Sequence, residues 1–188
     1  MNYNIIIIGE FCCKKTKIAE ILNLYLKEKY KKKYSSISLF SRVNKIVRVL
    51  HSDESDFKLL FHIYKSFFKY NRLIWQNSIL LNKYNKKNNY IFDDVYSKEE
   101  LDKIMSWSPS IIIIVKISTK NRKKIYPNLK YIKSGINLKF IPKIKPDIII
   151  DLDDVAVYNE EELRTFITDK FNDYINDQHT CWSNYIKK

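Results

Sequence analysis

The sequence contains very little glycine, proline or cysteine. Among its 188 residues are two glycines, four prolines and three cysteines, whereas 45% of the residues are hydrophobic. This composition excludes a disordered or low-complexity chain. It predicts a single globular domain over residues 1–188, long enough to bury a substantial core.

The few cysteines and the short hydrophobic runs exclude two further classes of protein. Cys12 and Cys13 are adjacent and Cys181 is distant, which is neither a disulfide framework nor a metal-ligand spacing. The isoleucine-rich runs at 5–8, 111–115 and 148–150 are too short to cross a bilayer, and no signal peptide precedes the first of them. We therefore expect a soluble, cytoplasmic protein with reduced thiols and no membrane partner.

Positive charge is abundant. The chain has 34 Lys and Arg against 21 Asp and Glu, a formal net charge of +13. Such an excess can reflect an AT-rich genome, or it can mark an anionic partner such as a nucleotide or a nucleic acid. Because no recognition-helix or RNA-binding motif accompanies the charge, nucleic acid is the disfavoured partner of the two.

The start of the chain has the pattern strand, loop, helix. Four isoleucines at 5–8 predict a strand buried on both faces, Gly9 ends it, and apolar residues recur at helical spacing from Thr16 to Tyr30. The loop approximates the phosphate-binding pattern G-x-x-x-x-G-K-[ST], in which backbone N–H groups surround a polyphosphate. Gly9, Lys15 and Thr16 match this pattern, and Lys14 replaces its second glycine.

The replacement of the second glycine by Lys14 makes this a degenerate form of the motif. If the loop needs a left-handed conformation there, a side chain costs roughly 1–2 kcal/mol, which a folded domain tolerates. The motif predicts that Lys15 contacts the outer phosphates and that Thr16 binds magnesium. A basic loop between an ordinary strand and helix remains the alternative. The predicted nucleotide-binding residues are Gly9, Cys13, Lys14, Lys15 and Thr16.

A pair of carboxylates forms the second candidate site. A short strand at 90–92 ends in Asp93 and Asp94, and Ser97 with Glu100 has the spacing of a helix capping box. In an open α/β sheet, ligands bind at the carboxyl ends of the strands. The pair therefore predicts a ligand site beside the phosphate loop, with ordinary loop acids as the alternative.

The remaining elements predict the fold class. Strands at Tyr34–Phe40, Ile111–Ile117 and Asp147–Asp151 and a final helix at Glu160–Ile175 complete five strands that alternate with helices. This order indicates a three-layer, doubly wound α/β fold with a parallel five-stranded sheet. Residues 41–89 are predicted to form a helical insertion. The basic segment 118–145, which has no strong period, is predicted to be a lid or binding loop.

Four stretches in this order resemble the P-loop nucleotide kinases, nearest to the deoxynucleoside monophosphate kinases, with the phosphomevalonate kinases as structural cousins. The first is the loop IIIIGEFCCKKTKIAEIL. SLFSRVNKIV is similar to the family's S-F-A-D-P-L-K, with Arg42 in place of its Asp, and RLIWQ is similar to R-x-L-L-Q. IFDDVYSKEEL resembles V-I-x-D-V-R-F-P-N-E, with Tyr96 where such kinases carry an arginine directed at the acceptor. The tail PDIIIDLDDVAVYNEEELRTFI resembles the family's last strand and helix.

The resemblance implies transfer of the γ-phosphoryl group of ATP to a nucleoside monophosphate with Mg²⁺. It implies Lys15 on the donor phosphates, Thr16 and Asp93 on the metal, and Asp94 near the metal or the acceptor. Arg122 or Lys120 would close from the lid, so the implied catalytic residues are Lys15, Asp94 and Arg122. The implied acceptor-binding residues are Phe40, Arg42, Lys45, Arg72, Gln76 and Asp94.

Three interpretations remain open at this point. The first is an active kinase, monomeric or homodimeric, with nucleotide substrates. The second is a kinase fold that has lost catalysis, since Lys14 and Tyr96 depart from the family pattern, and that acts in binding or structure. The third is a basic nucleic-acid-binding protein.

Overall fold

Five parallel strands form one sheet in the computed structural model of the chain. The strands are β1 (Asn4–Gly9), β2 (Tyr34–Ile37), β3 (Asn89–Phe92), β4 (Ser110–Lys116) and β5 (Ile148–Asp151). Their order is β2-β3-β1-β4-β5, and every neighbouring pair is parallel. The structure describes residues 3–10, 13–38, 88–125, 143–156 and 159–177, with single positions at 45, 49, 62, 63, 66, 69, 70 and 141.

Four helices connect or follow these strands in the described ranges. They are α1 (Lys15–Tyr30), α2 (Lys98–Met105), α3 (Thr119–Ile125) and α4 (Glu160–Asn176), and a 3-10 turn covers Leu152–Asp154. No helix among the described residues is long and apolar enough to traverse a bilayer.

The sheet is buried on both faces because its central strands consist of isoleucine. Ile5 and Ile7 face a core that α1 and α4 complete with Ile18, Leu22, Leu163 and Ile167. Their neighbours Ile6 and Ile8 point to the opposite face and are equally buried. On that side Phe92 contacts Trp107, which follows α2, at 6.1 Å between ring centroids. The result is a sheet between two helical layers.

The strand order determines where a ligand site can form. The connection that follows β1 leads to β2, on one side of β1 in the sheet. The connection that follows β3 leads to β4, on the other side of β1, so the two connections diverge next to β1 and β3. A crevice opens at the carboxyl ends of strands where connections diverge in this way. The residues that follow Gly9 and Phe92 therefore lie at the edge of the sheet where this fold places its ligands.

The predicted fold class, a doubly wound parallel five-stranded sheet, is confirmed. The element boundaries differ by one or two residues at most strands, and β2 ends at Ile37, earlier than the predicted Phe40. The segment 118–145, which has no strong period and is predicted to be a lid or binding loop, contains the seven-residue helix α3 near its start. Most of the predicted helical insertion at 41–89, and residues 126–140 of the predicted lid, lie outside the described residues.

Candidate phosphate-binding site

Gly9 is the last residue of β1, and there is no room for a side chain at this position. A Cβ atom on Gly9 would lie 2.7 Å from Cys13 Sγ and 2.7 Å from the backbone oxygen of Val115. Both distances are shorter than side chains tolerate, so glycine is needed for close packing of the loop against β4.

Lys14, the residue that replaces the motif glycine, has a left-handed backbone with φ 56° and ψ 25°. The loop therefore keeps the conformation that favours glycine and carries the cost of a side chain in it. The Lys14 charge lies close enough to Glu160 to lower the pKa of that carboxyl, after the larger effect of the Lys17 hydrogen bond. Glu160 begins α4, and Lys17 forms a 2.8 Å ion pair with its carboxylate.

The Lys15 ammonium is enclosed by its own loop, and only 5% of the residue is exposed. Its Nζ donates to the backbone oxygens of Gly9 at 3.1 Å and Glu10 at 2.9 Å, and lies 3.9 Å from Cys13 Sγ. Burying an ammonium requires partners of this kind. Burial raises the pKa of the Cys13 thiol even though the Lys15 charge opposes this, so Cys13 is a neutral packing residue.

Asp93 directly follows β3 and faces the first turn of α1. The residue is 1% exposed, and its carboxylate lies near the Thr16 side chain, which favours the ionised form. Burial and the neighbouring Asp94 charge raise the pKa of Asp93 to about 7, against the opposing effects of Thr16 and Lys15. Its Oδ1 atom is buried and has no hydrogen-bond partner among the described residues.

A carboxylate oxygen buried without a partner costs free energy unless a cation or donor satisfies it. Mg²⁺ is bound in proteins by one or two oxygen ligands of the chain together with phosphate oxygens. The Thr16 hydroxyl and the Asp93 carboxylate fit this requirement. No cluster of three or more His, Cys, Asp or Glu that could hold a metal by itself occurs in the described ranges. The donor set therefore suits a magnesium ion that arrives with a polyphosphate.

Asp94 points to a different set of partners from its neighbour. Its Oδ1 accepts a hydrogen bond from the Tyr96 hydroxyl at 2.9 Å, and its Oδ2 accepts one from the Ser38 hydroxyl after β2. The Tyr96 ring lies under the Lys15 ammonium, with 5.0 Å between Nζ and the ring centroid. Asp94 thus lies on the β2 side of the site, and Tyr96 connects it to the phosphate loop.

The segment between β3 and α2 is held by the predicted capping box. The Ser97 side chain accepts from the Glu100 backbone N–H at 3.1 Å, and the fully buried Glu100 carboxylate accepts from the N–H groups of Tyr96 and Ser97 at 2.8 and 3.1 Å. The box is confirmed. It fixes the backbone that carries Asp93 and Asp94.

Arg122 reaches the phosphate loop from α3. Its guanidinium forms an ion pair with Glu10, the residue directly after Gly9. Burial lowers the pKa of Arg122, and its Nε atom has no hydrogen-bond partner in the part of the chain that the structure describes. Asp153 holds the start of α3, accepting from the Ser118 N–H at 2.9 Å and from Asn121 Nδ2 at 2.8 Å.

The structure brings the donor-side candidates together at one edge of the sheet, namely Gly9, Cys13, Lys14, Lys15, Thr16, Asp93, Asp94 and Arg122. Lys45 is an exposed helical position. The other predicted acceptor residues, Phe40, Arg42, Arg72 and Gln76, lie outside the described residues.

Two contacts of the site were not predicted from the sequence. The partner of Arg122 is Glu10, and a partner of Asp94 is Ser38, 56 residues earlier in the chain. Neither residue belongs to a spacing that the phosphate-loop pattern specifies. Lys120, the alternative lid cation, is exposed on α3.

Solved structures with a similar fold cover nearly the whole chain. A gluconokinase from Sinorhizobium meliloti 1021 superposes with a TM-score of 0.50 at 11% identity, covering 93% of this chain and 97% of that one. The Mycobacterium tuberculosis APS kinase CysC, in complex with AMPPNP and APS, has a TM-score of 0.50 at 11% identity, covering 91% and 98%. Chaetomium thermophilum Kti12, in complex with ADP-AlF3, has a TM-score of 0.50 at 12% identity, covering 90% and 97%.

No protein-family model and no curated protein matches the sequence. The likeness is therefore one of structure, and at these identities it concerns the fold. The likeness supports a five-stranded parallel sheet with flanking helices as the shared fold. The chain has the P-loop kinase fold.

Proposed function

We propose that the chain is a P-loop phosphotransferase that moves the γ-phosphoryl group of ATP to a nucleoside monophosphate, with deoxynucleotides as the first acceptors to test. One observation carries the proposal. The enclosed ammonium of Lys15 lies with the Thr16–Asp93 pair at the carboxyl ends of β1 and β3. One carboxylate oxygen of Asp93 has no hydrogen-bond partner among the described residues.

The donor side follows from the chemistry of these groups. Phosphoryl transfer needs little covalent participation by the protein, and catalysis comes from positioning and from charge on the phosphate oxygens. Lys15 would exchange its carbonyl partners for the donor phosphates, and Thr16 and Asp93 would hold Mg²⁺. When bound, Mg²⁺ supplies neutralisation of phosphate charge. Arg122, which already reaches Glu10 in the loop, would add a second cation from α3.

The acceptor side rests on the resemblance of SLFSRVNKIV and RLIWQ to the nucleotide kinases and on the position of Asp94. Arg42 and Arg72 would bind the acceptor phosphate. Asp94, held by Ser38 and Tyr96 on the β2 side, would face the acceptor and not the metal. Nucleotides are then the partners, and the basic net charge favours their approach.

The test uses the purified chain with ATP, Mg²⁺ and each of the deoxynucleoside and ribonucleoside monophosphates. Release of ADP that depends on the acceptor supports the proposal, and Lys15→Ala should reduce the rate at least a hundredfold, since one charge-assisted phosphate contact is worth about 2.7–4 kcal/mol in the transition state. Lys17→Ala, two residues further along α1 and paired with Glu160, is the matched control and should retain the rate.

Two outcomes would contradict the proposal in different ways. ATP binding with no ADP from any nucleotide acceptor would indicate a kinase fold retained for binding. No ATP binding together with salt-sensitive affinity for DNA or RNA would favour a basic nucleic-acid-binding protein.

A further inference from the structure

Tyr96 occupies the position at which the resembling kinases carry an arginine directed at the acceptor. In this chain the side chain turns toward the donor loop. Its ring lies beneath the Lys15 ammonium, and its hydroxyl donates to Asp94 at 2.9 Å. The residue is 4% exposed, so both contacts are shielded from water.

Two hydrogen bonds anchor Tyr96, one at its backbone and one at its hydroxyl. Glu100 accepts from its backbone N–H at 2.8 Å, Asp94 accepts from its hydroxyl, and Asp94 is itself held by Ser38 of the β2 end. A side chain anchored at its backbone and at its tip has little freedom to rotate. The ring face is consequently a fixed surface against which Lys15 rests.

An aromatic face attracts a cation through its quadrupole, and the attraction grows when water is excluded. Lys15 has carbonyl oxygens of Gly9 and Glu10 on the loop side and the Tyr96 ring on another side. An arginine at position 96 would instead place a second positive charge near the ammonium. The exchange of arginine for tyrosine therefore changes what this position does.

We propose that Tyr96 is a positioning residue for Lys15. The Tyr96 ring face holds the Lys15 ammonium at the phosphate loop, and the hydrogen bonds through Asp94 to Ser38 hold the ring in place. This inference rests on the proposed function for its effect on catalysis. The consequence for specificity is that position 96 supplies no cation to the acceptor, which depends for its positive charge on other residues.

The first experiment measures the position of Lys15 directly and needs no nucleotide. Trace acetylation with an amine-reactive reagent, followed by mass spectrometry, compares the labelling of Lys15 with that of Lys116, an exposed lysine at the end of β4. Tyr96→Leu should raise the Lys15 to Lys116 ratio roughly tenfold, the size of a shielded cation–π contact. Tyr96→Phe keeps the ring and should raise the ratio by about threefold or less.

A second experiment keeps the size of the side chain nearly constant, so that it applies even if Tyr96→Leu does not fold. The series starts from Tyr96→Phe, and mono-, di- and trifluorophenylalanine are then incorporated at the same position. Each added fluorine removes negative charge from the ring face. Lys15 labelling should rise at each step, and the Kd for ATP with Mg²⁺ should rise in parallel. A residue that merely fills space would give a flat series.

The outcomes separate this inference from the proposed function. A flat fluorination series, or a folded Tyr96→Leu protein whose labelling ratio stays within about twofold of the wild type, overturns the positioning role. If the wild type binds no ATP, the proposed function fails, whereas the labelling ratios still decide whether Tyr96 holds Lys15.

Discussion

The Thr16 side chain lies next to the buried carboxylate of Asp93 and favours its ionised form, which relates the first turn of α1 to the end of β3. These two residues come from opposite sides of the crevice next to β1. Oδ1 of Asp93 nevertheless has no hydrogen-bond partner among the residues described. The pair is thus the structural basis for our proposal that this site binds a magnesium ion.

The first prediction concerns that pair. Thr16→Val removes the hydroxyl without changing the size of the side chain, and we expect ATP turnover to fall on the order of a hundredfold, with Asp93→Asn at least as severe. Thr16→Ser keeps the hydroxyl and is the matched control. The measurement is the initial rate of ADP release at several Mg²⁺ concentrations. Equal activity of the Val and Ser variants would rule out the hydroxyl as a metal ligand.

The raised pKa of Asp93 predicts how stability depends on pH. Because the pKa is about 7 in the folded chain and near 4 when unfolded, the folded state binds the Asp93 proton more tightly. This contribution to stability is fully present below about pH 4, declines as pH rises, and is gone above about pH 7. Its full size is on the order of a few kcal/mol.

Comparison with Asp93→Asn isolates this effect from other carboxyl groups. Melting temperatures measured without divalent metal from pH 5 to pH 8 should show the wild type losing stability relative to the variant as pH rises. Parallel curves would mean that the pKa of Asp93 is not raised in the folded chain. Added Mg²⁺ and ATP should reduce the decline in the wild type, because they favour the ionised carboxylate.

The fold could be predicted from the sequence because isoleucine runs at 5–8, 111–114 and 148–150 carry their own strand signal. The Ser97 and Glu100 capping box was equally local and is confirmed. The contact between Glu10 and Arg122 could not be predicted in this way. Helix α3 buries no residue and has no apolar period, so nothing in its sequence indicates which side faces the loop.

The same limit applies to the acidic pair. The sequence places Asp93 and Asp94 together at the end of a strand, but adjacent residues there need not share partners. The structure assigns Asp93 to Thr16 and Asp94 to Ser38, a contact between distant parts of the chain. Long-range contacts of this kind depend on the sheet order, which local patterns do not specify.

The left-handed backbone of Lys14 gives a prediction with a built-in control. Lys31, at the other end of α1, has nearly the same conformation, with φ 55° against 56° for Lys14. Replacement by glycine relieves about 1–2 kcal/mol of strain and costs about 0.5–1 kcal/mol in chain entropy. Lys14→Gly and Lys31→Gly should therefore each stabilise the protein by about 0.5–1 kcal/mol in urea denaturation.

The two variants also test whether Lys14 obstructs the loop. Since its charge acts on Glu160 at the start of α4, we expect Lys14→Gly to change the Kd for ATP by about threefold or less, the effect of one screened charge. Lys31→Gly should leave it unchanged. A gain of tenfold or more in affinity for Lys14→Gly alone would mean that the side chain crowds the phosphates.

Glu10 provides the last prediction, because an acidic residue in a phosphate-binding loop works against its ligand. Its carboxylate repels polyphosphate and also retains Arg122. Glu28 is a matched control: it is similarly exposed and forms a 2.7 Å ion pair with Arg164, on helices away from the loop. The Glu28–Arg164 pair is exposed and contributes about 0–1 kcal/mol, so Glu28→Gln should change the melting temperature by no more than a few degrees. Glu10→Gln leaves the 17% exposed Arg122 without its carboxylate and should lower the melting temperature more.

Calorimetric titration with ATP and Mg²⁺ separates the two variants. Glu10→Gln should tighten binding roughly threefold to tenfold, since it removes a like charge and frees the guanidinium of Arg122 for the phosphates, and the gain should shrink at high salt. The double variant Glu10→Gln, Arg122→Gln should lose that part of the gain that comes from Arg122. Weaker binding by Glu10→Gln would reverse the interpretation, because Glu10 would then be holding Arg122 in the position that binds ATP.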